Sequence, residues 1–332
     1  MTAAAALRLR GMNWAPYLVL PLLAAAALPA MSFPTWLTLT VAGIAMGMML
    51  FLMAAGLTLI FGLMDVLNFA HGAFITLGAY LAVSVLGALA GWTLADSWLL
   101  NLLALGAALI VAMIASGALG YAFERVIIMR VYGAHLRQIL ITVGGLIIAE
   151  QLIVVLWGPN PLPLAKPASL VGSIILGGAA IEKFRLVAVV LGIAVYAGLH
   201  LVLNRTRIGL LVRAGVENRE MVEALGYRIR RLFVGVFVAG TALAGIGGVM
   251  WGVYQGLVTR AIGPDMMILV FIIVIIGGLG SVGGCFVGAI LVGLLTNYAG
   301  FLAPKLALGS NILLMVAVLL WRPRGLFPVA KE

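Results

Sequence analysis

Gly62-Leu63-Met64-Asp65-Val66-Leu67-Asn68-Phe69-Ala70-His71-Gly72 joins two long apolar runs and contains no Lys or Arg. Asp65, Asn68 and His71 recur at spacing three, so a helical turn through them sets all three on one face. An ionisable group within an apolar run is costly and turns toward protein or water, not lipid. Two readings stay open: an interfacial turn whose polar groups cap helix ends, or a broken helix lining a polar path. On the second, Asp65, Asn68, Phe69, His71 and Gly72 are the candidate path residues. Either reading places the chain in a bilayer.

Composition agrees. Of 332 residues, 64% are apolar and 9% charged, and the mean hydropathy is +1.23. Soluble chains carry roughly 45–50% apolar and about 25% charged residues, so a water-soluble globular protein and a disordered one are both excluded. Apolar runs place spans near 16–33, 36–60, 66–90, 97–122, 137–157, 186–203, 232–256, 265–282, 285–303 and 307–321. The expected fold is all-α, a polytopic bundle of about ten spans forming one transmembrane domain over residues 1–332. Cys285 lies in an apolar stretch, forms no internal disulfide and says nothing about redox compartment.

Charge sets an expected orientation. A basic balance of 20 Lys and Arg against 10 Asp and Glu would suggest nucleic acid in a soluble domain; here it is the positive-inside signal. Ten crossings put both termini on one side. If that side is the cytoplasm, only Lys166, Lys183, Arg185, Arg260 and Lys305 fall outside. Residues 1–30 also fit a signal peptide, with Arg8 and Arg10 ahead of an apolar run ending Leu28-Pro29-Ala30, but a retained first helix keeps the even count. Trp36, Trp92, Trp98, Trp157 and Trp321 fall near span ends, as interface anchors do.

A second uncharged interruption, Gly277-Gly278-Leu279-Gly280-Ser281-Val282-Gly283-Gly284, has five glycines in eight residues. It reads as a tight turn with close helix approach, or as backbone lining a path with Gly280 and Ser281. Gly43…Gly47, Gly117…Gly120 and Gly240…Gly245 are small-residue spacings that suit helix packing in lipid. Glu150 and Gln151 lie in the fifth span, bonding a neighbouring helix or facing a cavity; His135 and His200 read as interface residues.

Two connections exceed a turn. Residues 158–185 have three prolines in five positions and then an apolar hairpin-like stretch, expected as a rigid outer cap. Residues 204–231 hold seven arginines and three acids on the cytoplasmic side. Within them Val216, Glu217, Glu220, Glu223 and Leu225 fit a short helix stopped at Gly226. Three acids sit badly on anionic lipid, so this helix is expected to meet a protein partner. No phosphate-loop motif is present, so the chain is not expected to hold ATP or to be an enzyme. Three dispersed histidines and one cysteine give no metal site, and no cofactor is expected; a Ser281–His71 protease dyad lacks any nucleophile motif.

Together these residues resemble the permease subunits of branched-chain amino-acid ABC importers, the Liv family, and its H-type member in particular. The likeness is carried by Ala55 to Gly62 running into Leu67 to Gly72, and by Thr206-Arg207-Ile208-Gly209 leading to Glu223-Ala224-Leu225-Gly226. Leu243 to Gly248, Gly277 to Gly284 and the ending Arg322 to Phe327 complete it. The resemblance implies a bacterial inner-membrane assembly of two homologous permeases, two cytoplasmic ATPases and an external solute-binding protein, with no nucleic acid. It implies ATP-driven import of a small polar organic solute, foremost a branched-chain or hydrophobic amino acid; similar families take urea, short amides or aromatic acids. The rival is a stand-alone ion-coupled secondary transporter with Asp65, His71 or Glu150 as proton carrier. A membrane scaffold would have no use for the uncharged breaks.

Overall fold

A computed structural model describes residues 15–217 and 219–327. Ten apolar helices match the expected spans to within a few residues at most ends: α1 (Ala15–Ala27), α2 (Phe33–Met64), α3 (His71–Ala88), α4 (Trp98–Val126), α5 (His135–Trp157), α6 (Lys183–Arg205), α9 (Ile229–Gln255), α10 (Ile262–Gly277), α11 (Val282–Leu302) and α12 (Ala307–Trp321). Between α6 and α9 lie α7 (Arg207–Glu217) and α8 (Arg219–Ala224). Seven of the ten are long and apolar enough to cross a membrane; α1, α10 and α12 are shorter. Arg8, Arg10, Asn218 and Lys331 lie outside the described residues.

α2 is the axis of the bundle. Its 32 residues are apolar on every side, and 89% of its apolar window is buried, as expected of a helix surrounded by other helices. It packs chiefly on α11 and α9. The close crossings use small residues: a Cβ at Gly47 would meet the Ala289 and Ile290 backbone of α11, and one at Gly56 would overlap the Gly240 carbonyl of α9. Gly78 and Gly248 make the equivalent approach between α3 and α9, and Gly120 abuts Thr241 between α4 and α9. The small-residue spacings thus pack helices where lipid provides no hydrophobic force for association.

The connections gather at two ends. At one end, Gly62 faces Gly280, Leu326 N–H bonds Ile276 O at 2.9 Å, and Val222 packs with Ile60, Met64 and Ile229. At the other end, β1 (Leu162–Pro163) pairs antiparallel with β4 (Leu257–Val258), and β2 (Ser173–Leu176) pairs with β3 (Ala179–Glu182) around Gly177-Gly178. The proline-rich segment is therefore extended and then a hairpin, as its composition indicates. Buried Asn101 fixes it: its Oδ1 accepts from Ser169 N–H at 2.7 Å while its Nδ2 donates to Trp92 O and Ala95 O. Lys166 and Arg185 pair with Glu182 at 2.5 and 3.2 Å there.

Candidate functional site

The segment after α2 does not continue as helix. Asp65 adopts left-handed backbone, φ 53°, a conformation that Asp tolerates better than most residues. It ends α2 and sends the chain back into the bundle. His71 opens α3 with its Nε2 at 2.9 Å from Met53 O, eleven residues before α2 stops at Met64. α3 therefore begins about two to three helical turns inside the end of α2. The expectation that a helical turn sets Asp65, Asn68 and His71 on one face is corrected by this geometry. Asp65 stays outside, largely exposed, with His135 Nε2 at 4.0 Å; Asn68 and His71 go inward and are fully buried.

α10 meets α3 inside the bundle as well. Gly263 N–H donates to Thr76 Oγ1 at 3.0 Å, and that hydroxyl donates to Gly72 O at 3.2 Å. A Cβ on Gly72 would press on Gly263 and Met267. The body of α10 then runs beside the 65–70 segment, with the Phe69 and Phe271 rings 5.1 Å apart. Its far end at Gly277 abuts Gly284. α10 is short because it starts part-way along α2, level with the first turns of α3.

The N-terminus of α3 therefore lies at a fully buried polar cluster, and the start of α10 meets α3 one turn on, at Gly72 and Thr76. Both amide atoms of Asn68 and His71 Nδ1 have no hydrogen-bond partner among the described residues. Phe69 N–H bonds Thr142 Oγ1 of α5 at 3.3 Å, which fixes the segment from a third side. With Asn68 and His71 at 0% exposure, this conformation is closed around the cluster. Sequence reasoning missed Thr76, Thr142, Gly56 and Gly263 as its walls. Their signal was present as polar or small residues inside apolar runs, but nothing local names their neighbours.

The glycine run is a backbone junction. Gly280 has φ 82° and lies against Gly62, while Gly277 and Gly284 are in backbone contact. Ser281 caps α11, its Oγ accepting from Gly284 N–H at 3.0 Å. Within the expected 216–226 helix, Val216 and Glu217 are the last residues of α7, Glu220 and Glu223 lie in α8, Asn218 lies outside the described residues, and Gly226 stops the turn with φ 86°. The side chains of Val216, Glu217 and Glu220 lie outside those described. Val222 is buried under the end of α2, while Glu223 and Leu225 are exposed. Glu150 is half-buried and Gln151 exposed on α5.

Comparison with known proteins agrees with this architecture. The chain is 30% identical over 294 residues to the high-affinity branched-chain amino acid transport system permease protein BraD of Pseudomonas aeruginosa, covering 86% of this chain and 93% of that relative. It is 27% identical to LivH of Escherichia coli K12, of the same description, over 86% of this chain and 92% of the relative. A probable branched-chain amino acid transport permease protein LivH of Methanocaldococcus jannaschii is also 27% identical, over 84% and 88%. No solved structure matches. The profile of the family described as "Branched-chain amino acid transport system / permease component" covers residues 39–320. The stretch that it covers includes the buried break between α2 and α3, the glycine junction and the loop after α6, and this multi-pass membrane chain belongs to that family.

Proposed function

We propose that this chain is one permease subunit of an ATP-driven importer that carries a branched-chain or other small hydrophobic amino acid inward. The observation that carries the substrate reading is the N-terminus of α3 beside buried Asn68 and His71, whose side-chain amide and Nδ1 atoms are unpartnered among the described residues. A helix N-terminus carries roughly half a positive charge and suits a carboxylate. The buried, unpaired amide and imidazole atoms offer hydrogen bonds to a polar solute when the helices part. Asp65 and Phe69 border that path toward the inner end, and Gly72, Gly280 and Ser281 supply its backbone.

In this reading residues 216–226 meet a cytoplasmic ATPase, with Glu220 and Glu223 toward basic groups and Leu225 as the apolar contact. Val222 packs with Met64 and Val66, so a push on α8 is delivered to the residues flanking Asp65. The full assembly has a second homologous permease, two ATPases and an external binding protein, in the bacterial inner membrane with both termini cytoplasmic. Hydrolysis belongs to the ATPases.

Leucine uptake into proteoliposomes tests this. The chain reconstituted with its copurifying partners should accumulate leucine only with ATP on the ATPase side. Uptake by the isolated chain, driven by a proton gradient without ATP, would overturn the reading in favour of a secondary transporter.

A further inference from the structure

α4 and α9 cross with Gly120 against Thr241 and Gly245 against Ser116. Beside that crossing runs a furrow. One hollow of about 430 Å³ is lined by Met113, Gly117 and Tyr121 of α4 with Val238 and Ala242 of α9. A second, of about 480 Å³, is lined by Arg125, Arg230, Arg231 and Val234, with Tyr227 and Glu223 on its rim. Gly117, Tyr121 and Arg125 are four apart, as are Ala242, Val238 and Val234, so the hollows are successive turns of one furrow. Arg125 joins them: its Nε donates to Tyr121 Oη at 3.3 Å, and its guanidinium lies 5.5 Å from the ring centroid.

The chemistry changes sharply along this furrow. Its inner mouth holds Arg125, Arg228, Arg230 and Arg231. Among the described residues Glu223 also lines this hollow and buried Glu124 interacts with Arg125 and Arg230, so four arginines meet two carboxylates there. The rest is apolar and reaches Met113, twelve residues from Arg125 on α4, or about 18 Å. A water-soluble partner can reach the arginines but not a lipid-facing hollow that far into the span. An apolar trough two to three turns long under a cationic mouth fits a fatty acyl chain beneath a phosphate.

We propose that the α4–α9 furrow binds one anionic glycerophospholipid, its phosphate on Arg125 and Arg231 and an acyl chain over Gly117 and Ala242. The site is independent of the transported solute. The full chain, purified in detergent and given equal phosphatidylglycerol and phosphatidylcholine, is examined by native mass spectrometry. Phosphatidylglycerol should be retained preferentially. Arg125→Gln with Arg231→Gln should lower its retention about 30-fold, and the Arg→Lys pair should restore most of it. Ala242→Phe, which fills the trough and leaves the arginines, should also release it. Equal retention of the two lipids, or undiminished phosphatidylglycerol in either the Gln pair or Ala242→Phe, overturns the proposal. So does a Gln pair that keeps its lipid and instead loses a copurifying ATPase, since the arginines then serve a protein interface.

Discussion

Asn68 is fully buried with both amide atoms unpartnered among the described residues, a state that costs about 1–3 kcal/mol per group. A group retained at that cost without a partner in the closed state is expected to find one in another. Asn68→Leu, similar in volume and free of polar atoms, should hold or raise the thermal unfolding midpoint in detergent while lowering transport at least about tenfold. Normal transport in that variant would leave Asn68 no role in the path. The glycine junction gives a contrast between near neighbours. Gly280 combines φ 82° with the Cα of Gly62 only 2.9 Å from where a Cβ would sit, whereas the nearest atom to a Cβ on Gly283 is Tyr196 Oη at 3.8 Å. Gly280→Ala should cost about 1–3 kcal/mol and Gly283→Ala less than about 0.5 kcal/mol, read as thermal midpoints.

Among the described residues, α8 is held against the bundle by one buried side chain. Val222 is 5% exposed and packs with Ile60, Met64 and Phe233, whereas Leu225 is 70% exposed three residues on. Val222→Asp should unseat α8 and lower stability by about 2–4 kcal/mol. Leu225→Asp should leave the midpoint unchanged yet reduce ATPase copurification about tenfold or more, since it removes a docking contact and no fold contact. If Leu225→Asp retains the ATPase fully, the surface that meets it lies elsewhere. The stop at Gly226 was legible in the sequence, because a left-handed turn is a property of one residue. What Val222 packs against was not, since Ile60 and Met64 lie far from it in sequence.

At the scale of the whole molecule, the connections form two polar ends with the hairpin at one and α8 at the other. The excess of arginine at the α8 end predicts that end to be cytoplasmic. Cysteines placed singly at Ile175, 76% exposed on β2, and at Leu225 test this, because native Cys285 is buried and gives no background. In intact cells a membrane-impermeant maleimide should label the first position and not the second, and disruption of the cells should reverse only the second result. Labelling at Leu225 in intact cells would invert the topology.

The sequence by itself determined that this chain is a bundle of apolar helices, where those helices stop, that its proline-rich segment is extended and that the loop after α6 is its most polar part. These are local or additive matters: twenty apolar residues prefer lipid to water whatever surrounds them, and Pro, Gly or a left-handed Asp interrupts a helix through its own backbone. Only the tertiary structure decided that Asp65 turns the chain inward, that α3 and α10 begin inside the bundle, and that the α4–α9 furrow ends in arginines. Each depends on residues distant in sequence, Gly72 with Gly263, Gly62 with Gly280, Gly120 with Thr241. In an apolar chain every helix is compatible with every other in hydrophobicity, so the choice falls to which small residues let two backbones approach. A glycine announces that something comes close without saying what.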